Sequence, residues 1–401
     1  MMKHKISFIC AACCLPLILS GCGSRQNAST APSLITVKYD GLQDKGTVNL
    51  SELFEEPEFI VLDSRSTDAY ISGQPNALSD NYIGISGGYF KSIPYKLYDR
   101  NTGEYLGPVG NIGRGPGEYA YILSSYIDEQ NGRIWLHYAP EKLYAYDLKT
   151  REFIEDVPLA YGLGDYNFYK SDFIVNPESG TITCVRVPYP EDLDTVIAWQ
   201  QDFKGNVLWA ASEKGRSMPS TQSEGISTWI LSSSKNVSNG IDASFNTFNT
   251  VEDTVFIAEN GRMNPVFTID LGRKAGTQDN INITAKSTLL PDKILTSINT
   301  PKPIENGIIR FISSGTVITD RESGEAYKCV IINDYIGKGE LSPSPSYGHL
   351  IHSYDPVSFR ETATTALENG HLSDAAKDKL RTILSDLSDD DNNILVLYKI
   401  K

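Results

Sequence analysis

The sequence predicts an all-β fold, a six-bladed β-propeller of four-stranded antiparallel blades. Three observations carry this prediction: a repeated strand, Asp, turn, strand pattern; tight hairpin turns between strands of two-residue period; and no long helical pattern before residue 355. The aspartates of the repeat are Asp99, Asp147, Asp202, Asp270 and Asp320. Their spacings of 48, 55, 68 and 50 residues each suit one four-stranded blade with loops of variable length.

One blade can be followed strand by strand in "IDEQNGRIWLHYAPEKLYAYD", where strands of alternating polarity are separated by short turns. Asn131 and Gly132 supply the positive φ angles that a two-residue hairpin requires. Five recognisable hairpins and one blade composed from both ends of the chain give six blades. Seven blades is the alternative count.

Two helices interrupt the last blade, in an insertion that we place at about residues 356–388. Asp355 and Pro356 are typical of an N-cap and a first helical residue, and an apolar helical face then continues up to Gly370. The second helix follows from Ser373, with leucines and isoleucine on one side.

The chain ends on an apolar strand, residues 392–401, within "DNNILVLYKIK". A propeller removes its exposed edges by closing its ring, so we expect this strand to pair with an N-terminal strand. The candidates are "SLITVKYD" and "EFIVLD".

The N-terminus carries an export signal. Lys3 and Lys5 precede an apolar stretch too short for a stable membrane span, which ends in Leu19, Ser20, Gly21 and Cys22. This tetrad resembles the lipobox of bacterial lipoproteins, which implies cleavage before Cys22 and acylation of its sulfur. An ordinary cleaved signal is the alternative.

The resulting domain plan is a signal peptide at residues 1–21, a lipidated flexible tether at 22–33 and one propeller domain at 34–401. Acyl chains would bind the protein to a membrane. We expect a lipid-anchored protein of the cell envelope, in the outer membrane. The periplasmic face is favoured over the cell surface because no acidic pair follows Cys22, as it often does in surface-exported lipoproteins of this kind.

The net charge of the chain argues against nucleic acid as a partner. The chain has 36 Lys and Arg against 50 Asp and Glu, for a formal net charge of −14. A nucleic-acid backbone would repel a protein with this negative charge, so we expect no nucleic-acid partner. We also expect the protein to be a monomer.

Cys184 and Cys329 each lie in a β-like run and are interpreted as buried apolar residues, with a disulfide between them as the alternative.

The stretch "GNIGRGPGEY", the meander quoted above and the terminal "DNNILVLYKIK" together resemble the six-bladed β-propeller lipoproteins abundant in Gram-negative gut anaerobes. The resemblance covers essentially the whole mature chain but weakens at about residues 160 to 300. It implies a propeller architecture and an envelope location. Most of that family is described as domains of unknown function, so it implies no catalytic residues.

A glycine-rich loop is the candidate ligand site. Its alternating glycines could form a nest of backbone N–H groups for an anion, with an arginine adding charge. The structural alternative is a corner between blades, in which the glutamate accepts from nearby backbone and the tyrosine packs between blades. No helix pattern follows, which argues against a dinucleotide fingerprint. The loop residues are Gly113, Arg114, Gly115, Pro116, Gly117, Glu118 and Tyr119.

Two other clusters are weaker and predict no metal site or cofactor. His349 and His352 lie three residues apart, so on a strand they face opposite sides, although Asp355 is near. Asp389, Asp391 and Asn393 begin like a calcium loop, but Ile394 replaces the required glycine. We interpret that run as a solvated turn between helix and strand.

Three functions remain open. The first is a non-catalytic binding or scaffold module for a glycan, a peptide or an envelope protein, and no catalytic residues are predicted for it. The second is a propeller enzyme of the lactonase or glycan-lyase type with its groups in the central channel, which a motif search cannot detect. The third is a structural partner in an envelope assembly. Two carboxylates or a metal-ligand set in the channel would favour the enzyme, and an aromatic lining without them would favour binding.

Overall fold

A computed structural model of the chain describes residues 34–87, 92–138, 141–163, 171–188, 195–213, 230–236, 240–246, 252–259, 261–272, 283–303, 309–337 and 339–401. Residues 34–401 form one compact unit. The predicted signal peptide and tether, with Cys22, lie outside the described residues.

Strands account for nearly all of the regular structure, and two helices precede the last strand. In chain order the elements are β1 Ile35–Lys38, β2 Asp44–Asn49, β3 Glu58–Val61, β4 Pro75–Leu78, β5 Tyr82–Ile85, β6 Tyr95–Asp99, β7 Tyr105–Val109, β8 Asn111–Ile112, β9 Glu118–Tyr119, β10 Ser124–Asp128, β11 Arg133–His137, β12 Lys142–Asp147, β13 Phe153–Pro158, β14 Ser171–Asn176, β15 Thr181–Arg186, β16 Val196–Asp202, β17 Val207–Ser212, β18 Ile230–Ser234, β19 Ile241–Asn246, β20 Glu252–Glu259, β21 Arg262–Asp270, β22 Thr284–Leu289, β23 Lys293–Pro303, β24 Ile309–Asp320, β25 Ala326–Asn333, β26 Gly339–Leu341, β27 His349–Tyr354, α1 Pro356–Asn369, α2 Asp374–Asp386 and β28 Ile394–Lys399; short 3₁₀ turns lie at Leu50–Glu52 and Thr67–Ala69.

The strands form six antiparallel blades, which confirms the predicted fold. Blades A to E are β4–β7, β10–β13, β14–β17, β18–β21 and β22–β25, each a meander of four consecutive strands. Blade F consists of β27, β28 and β3, so it has three strands among the described residues instead of four.

Blade F closes the ring by joining the two ends of the chain. The terminal strand β28 pairs with β27 on one side and with β3, the predicted "EFIV" segment, on the other. The other candidate, "ITVK" in β1, pairs instead in parallel with β21 at the outer edge of blade D, and β2 does the same with β25 of blade E. The N-terminal segment therefore covers two exposed edges before it enters the closing blade.

Six apolar clusters hold the ring together, one between each pair of neighbouring blades. Strand β28 contributes side chains to two of these clusters, one on each of its faces. Ile394 and Val396 pack towards blade E and the helices, whereas Leu395 and Leu397 pack towards blade A. All four are at most 1% exposed, because side chains that alternate along a strand between two blades are buried on both faces.

The repeated aspartates end third strands in four of the five cases. Asp99, for example, ends β6 and accepts from Asn101 N and Thr102 N at 2.9 and 2.8 Å. Such a local acceptor stabilises the turn into the fourth strand. Asp270 is the exception and corrects the predicted repeat, since it ends the fourth strand of blade D. There the third strand turns into the fourth through Gly261, which has φ +80°.

The two helices begin where they are predicted, and Asp355 and Ser373 are their N-caps. Asp355 accepts from Ser358 N at 3.0 Å, and Ser373 Oγ accepts from Ala376 N at 3.2 Å. The buried Phe359 and Leu380 pack both helices onto the cluster between blades E and F. No helix among the described residues is long and apolar enough to cross a membrane.

The two cysteines of the folded body are both free and buried. Cys184 lies in the cluster between blades B and C, and Cys329 in the cluster between blades E and F. The alternative of a disulfide is therefore wrong, because the ring holds the two sulfurs in separate interfaces.

Candidate functional site

A cavity of about 690 Å³ is bordered by the first strand of every blade, which places it on the axis of the propeller. This volume is in the range of small-molecule sites. The residues around it are Gly73, Gln74, Pro75, Asn76, Ala77, Ser86, Ile122, Leu123, Ser124, Ser171, Asp172, Leu231, Ser232, Ser233, Lys235, Lys286, Ser344, Ser346, Tyr347, His349 and Ile351.

A buried ion pair forms part of the cavity wall. Lys235 Nζ, directly after β18, lies 3.0 Å from Asp172 Oδ1 on β14. The same ammonium donates to Ser125 O at 3.1 Å and to the Tyr347 hydroxyl at 3.0 Å. Its three N–H donors therefore all have acceptors. Burial alone would lower the pKa of Lys235, but Asp172 and Tyr347 reverse this effect and raise the pKa above its usual value.

Tyr347 extends this network across the channel. Its hydroxyl oxygen lies 2.9 Å from the carbonyl oxygens of both Asn76 in blade A and Ser125 in blade B. Lys235 belongs to blade D, which is opposite blade A in a ring of six. We call Asp172, Lys235 and Tyr347 the axial brace.

The backbone at Tyr347 adopts a conformation that is uncommon for a residue with a side chain. Its φ is +53°, in the left-handed region. Gly348 follows with φ +72° and donates to Asn236 Oδ1 at 3.0 Å. Together they turn the chain so that Tyr347 points into the channel and β27 begins immediately afterwards.

The remaining polar lining consists mainly of hydroxyl groups. In the described part of the chain, the serines that border the cavity are Ser86, Ser124, Ser171, Ser232, Ser233, Ser344 and Ser346. The Oγ of Ser124 is buried and has no hydrogen-bond partner among the described residues. Such hydroxyls can both donate to and accept from a ligand.

Lys286 carries the accessible positive charge of the cavity. It is an exposed residue of β22, and its Nζ donates to Ser344 Oγ at 3.0 Å. Desolvation by the surrounding protein lowers the pKa of Lys286, and the charge of Asp242 acts in the opposite direction. No ion pair between Lys286 and a carboxylate is found among the described residues.

His349 borders the cavity with both ring nitrogens occupied. Nε2 lies 3.0 Å from Arg100 Nη2, and Nδ1 lies 2.8 Å from Tyr347 O. Because a guanidinium can only donate, Nε2 is the acceptor and Nδ1 carries the proton. Burial lowers the pKa of His349, consistent with this neutral form. The ring orients the neighbouring chain and has no nitrogen left for a metal.

Two buried titratable groups lie behind the lining. Burial raises the pKa of Asp242 to about 7, although it accepts from Ser234 Oγ at 2.6 Å. Burial lowers the pKa of His137 to about 4, and neither of its ring nitrogens has a partner among the described residues. Neither group borders the cavity.

The sequence-predicted loop lies away from this cavity, because none of residues 113–119 borders it. Strands β8 and β9 pair in parallel, and Gly113 N donates to Tyr119 O at 3.0 Å. Gly115 N donates to Glu118 Oε2 at 2.7 Å, so the carboxylate of the loop itself accepts from this amide. Arg114 and Pro116 are exposed.

The other loop residues tie blades A and B together. Tyr119 is fully buried, and its hydroxyl accepts from Tyr95 N at 2.9 Å. Gly117 O accepts from Tyr146 at 2.6 Å. Gly117 has φ +70°, and a Cβ there would lie 2.3 Å from the Phe153 ring. These are the contacts of a corner between blades.

The two weaker clusters do not form metal sites. His352 packs against Tyr354 and Tyr398, on the opposite face of β27 from His349. Asp391 accepts from Ser388 N at 2.7 Å in the turn before β28. In the described part of the chain no group of three or more His, Cys, Asp or Glu is placed to hold a metal ion.

Neither predicted channel lining is observed. Among the described residues that border the cavity, Asp172 is the one carboxylate, and aromatic rings are limited to Tyr347 and His349. No sequence motif pointed to Asp172, Lys235, Lys286 or Tyr347. A signal was present in "ILSSSK", a β-strand whose serines replace the apolar residues expected between blades.

A family model described as "Domain of unknown function (DUF4934)" matches residues 34–399. The chain belongs to this family. No curated protein matches this DUF4934 chain.

Comparison with solved structures finds similar chains. One is a crystal structure from Bacteroides fragilis with the name "Putative exported protein", 16% identical, with a TM-score of 0.59, covering 92% of this chain and 100% of that chain. Another is a member of the DUF4221 family from Bacteroides vulgatus, 12% identical, with a TM-score of 0.44 and coverage of 87% and 98%. An oligogalacturonate lyase in complex with manganese is 10% identical, with a TM-score of 0.35 and coverage of 86% and 97%. For the Bacteroides fragilis protein, at 16% identity, the likeness concerns the fold alone.

Proposed function

We propose that this DUF4934 chain is a lipid-anchored protein of the cell envelope whose propeller binds a ligand in the axial cavity without altering it chemically. The observation that carries the proposal is the cavity itself, into which all six blades direct polar side chains. A glycan or a short peptide suits such a hydroxyl-rich lining, and an envelope protein could present either.

The state of the ionisable groups supports binding over catalysis. General acid–base catalysis needs a group that is free to take up or release a proton. Both oxygens of Asp172 accept hydrogen bonds, from Lys235 and from Ser233 at 2.9 Å. His349 is held between Arg100 and a carbonyl oxygen.

A ligand screen on the wild type and on a variant with a filled cavity tests this function. Residues 34–401 would be screened by thermal shift against host and microbial oligosaccharides and cell-wall peptides. A ligand at a hundredfold excess over its Kd stabilises by about 2.7 kcal/mol, which raises Tm by a few degrees. We expect Ser232→Trp, which fills the cavity, to abolish the shift, and Ser212→Trp, on the exposed outer strand of blade C, to preserve it.

Two results would contradict the proposal. If Ser232→Trp retains the shift, the ligand binds elsewhere. If incubation with a bound glycan or lactone yields product at a rate that Asp172→Asn abolishes, the propeller is an enzyme of the lactonase or lyase type.

The anchor is tested separately. The lipobox at Leu19 to Cys22 supports it, and so does the name "Putative exported protein" of the similar Bacteroides fragilis structure. We expect labelled palmitate to be incorporated into the full chain and lost in Cys22→Ser, with the protein then leaving the outer-membrane fraction. An unlabelled wild-type chain would favour an ordinary cleaved signal.

A further inference from the structure

Among the described residues that border the axial cavity, one positive charge has no carboxylate partner in the wall. Asp172, the carboxylate among the described lining residues, is paired with Lys235 within the axial brace. Lys286 is exposed to the cavity, and its described hydrogen bond is to a neutral hydroxyl, Ser344 Oγ. An anionic group on a ligand would therefore meet one ammonium that no carboxylate of the wall already neutralises.

The kind of anion follows from the number of donors. A phosphate dianion is usually held by several charges or by a cluster of backbone N–H groups. Lys286 is the single cation of the described lining that is not already paired, and the glycine-rich loop does not border the cavity. One ammonium beside one hydroxyl matches a monoanion, which points to a carboxylate.

The rest of the ligand follows from the hydroxyl lining. Seven serines and the side chains of Gln74 and Asn76 surround the cavity, and the Oγ of Ser124 still lacks a partner among the described residues. A buried hydroxyl without a partner costs free energy that a ligand hydroxyl recovers. A ligand with several hydroxyl groups would satisfy this lining better than an apolar one.

We propose that the axial cavity binds a sugar acid, with the sugar carboxylate on Lys286 and Ser344 and the sugar hydroxyls on the serines around Ser124. This inference rests on the proposed binding function and assigns its ligand class. Lys286 is the residue that distinguishes the acid from the neutral sugar.

The test compares D-glucuronate with D-glucuronamide, which has nearly the same shape and no charge. Binding to residues 34–401 would be measured by calorimetry and by saturation-transfer NMR. A hydrogen bond to a charged group contributes about 1.5–3 kcal/mol, so glucuronate should bind at least about tenfold more tightly than the amide. Lys286→Gln should remove this preference with an unchanged Tm, and Lys302→Gln, on an exposed residue outside the cavity, should preserve it.

The other outcomes overturn the inference in distinct ways. Equal binding of acid and amide, or a preference that survives Lys286→Gln, would refute the role of Lys286 and leave the binding function standing. Tighter binding of glucose 6-phosphate than of glucuronate would assign the site to phosphates. If none of these probes binds while the wider screen yields a ligand whose binding Ser232→Trp blocks, the cavity binds a different class of ligand. If both experiments yield no ligand, the binding function is refuted as well.

Discussion

Lys235 and Asp172 form an ion pair across two blades, with Nζ 3.0 Å from Oδ1 and only 5% of the lysine side chain exposed. The pair joins the end of β18 to the second residue of β14 and is completed by the Tyr347 hydroxyl. Because these residues belong to three different blades, the axial brace depends on the closed ring and also stabilises it.

Removing one charge of this pair should be costly. We expect Lys235→Met to lower the free energy of unfolding by about 3–5 kcal/mol, because Asp172 is then left buried and unpaired. Urea denaturation measures the loss. The double variant Lys235→Met with Asp172→Asn should recover a large part of it, and equal losses in the single and double variants would refute a coupled pair.

The glycine-rich loop offers a matched pair of substitutions. Glu118→Ala should lower the unfolding free energy by about 1–3 kcal/mol, because Gly115 N loses its charged acceptor. Arg114→Ala, at an exposed position, should change it by at most about 0.5 kcal/mol. If Arg114→Ala also abolishes a thermal shift from the ligand screen, the loop is a binding site.

The buried His137 makes stability depend on pH. Its pKa is lowered to about 4 by burial, against an ordinary value of 6.5. Between these values the unfolded chain binds a proton that the folded chain does not, so stability falls as the pH drops from 6.5 to 4. The full effect is about 3 kcal/mol.

Urea unfolding of the wild type and His137→Phe at pH 7, 6, 5 and 4 isolates this contribution. The difference in unfolding free energy between the two proteins should shift in favour of the variant as the pH falls. Parallel pH profiles would show that His137 is not a neutral buried group in the folded protein.

The two thiols of residues 34–401 should be inert while the protein is folded. Cys184 and Cys329 are buried, and burial raises the pKa of both thiols. Because the thiolate is the reactive form, a thiol reagent should label neither cysteine in the native protein and both in urea. A reductant should leave Tm unchanged, whereas a fall in Tm on reduction would indicate a disulfide.

Much of the fold could be predicted because its signals are local. The Asp-ended third strands and the helix starts at Asp355 and Ser373 each depend on residues within a few positions of one another. The predicted two-residue hairpin at Asn131 and Gly132 is wrong: Asp128 pairs with Arg133, so the turn has four residues, and Gly132 has a positive φ of 62° whereas Asn131 does not have a positive φ. The wrong prediction for Asp270 also arises because these signals are local. Its strand and turn are correctly predicted, but a local pattern does not show which strand of the blade it ends.

By itself the sequence determined that the chain is all-β and that the terminal strand closes a ring of blades, because strand period and turn chemistry depend on neighbouring residues. The structure decided for six blades over seven. Only the tertiary structure decided where the candidate site lies. Asp172, Lys235, Lys286 and Tyr347 come from separate strands and a loop up to 175 positions apart, and none belongs to a motif. They meet because a ring of blades brings the first strand of each blade to one axis.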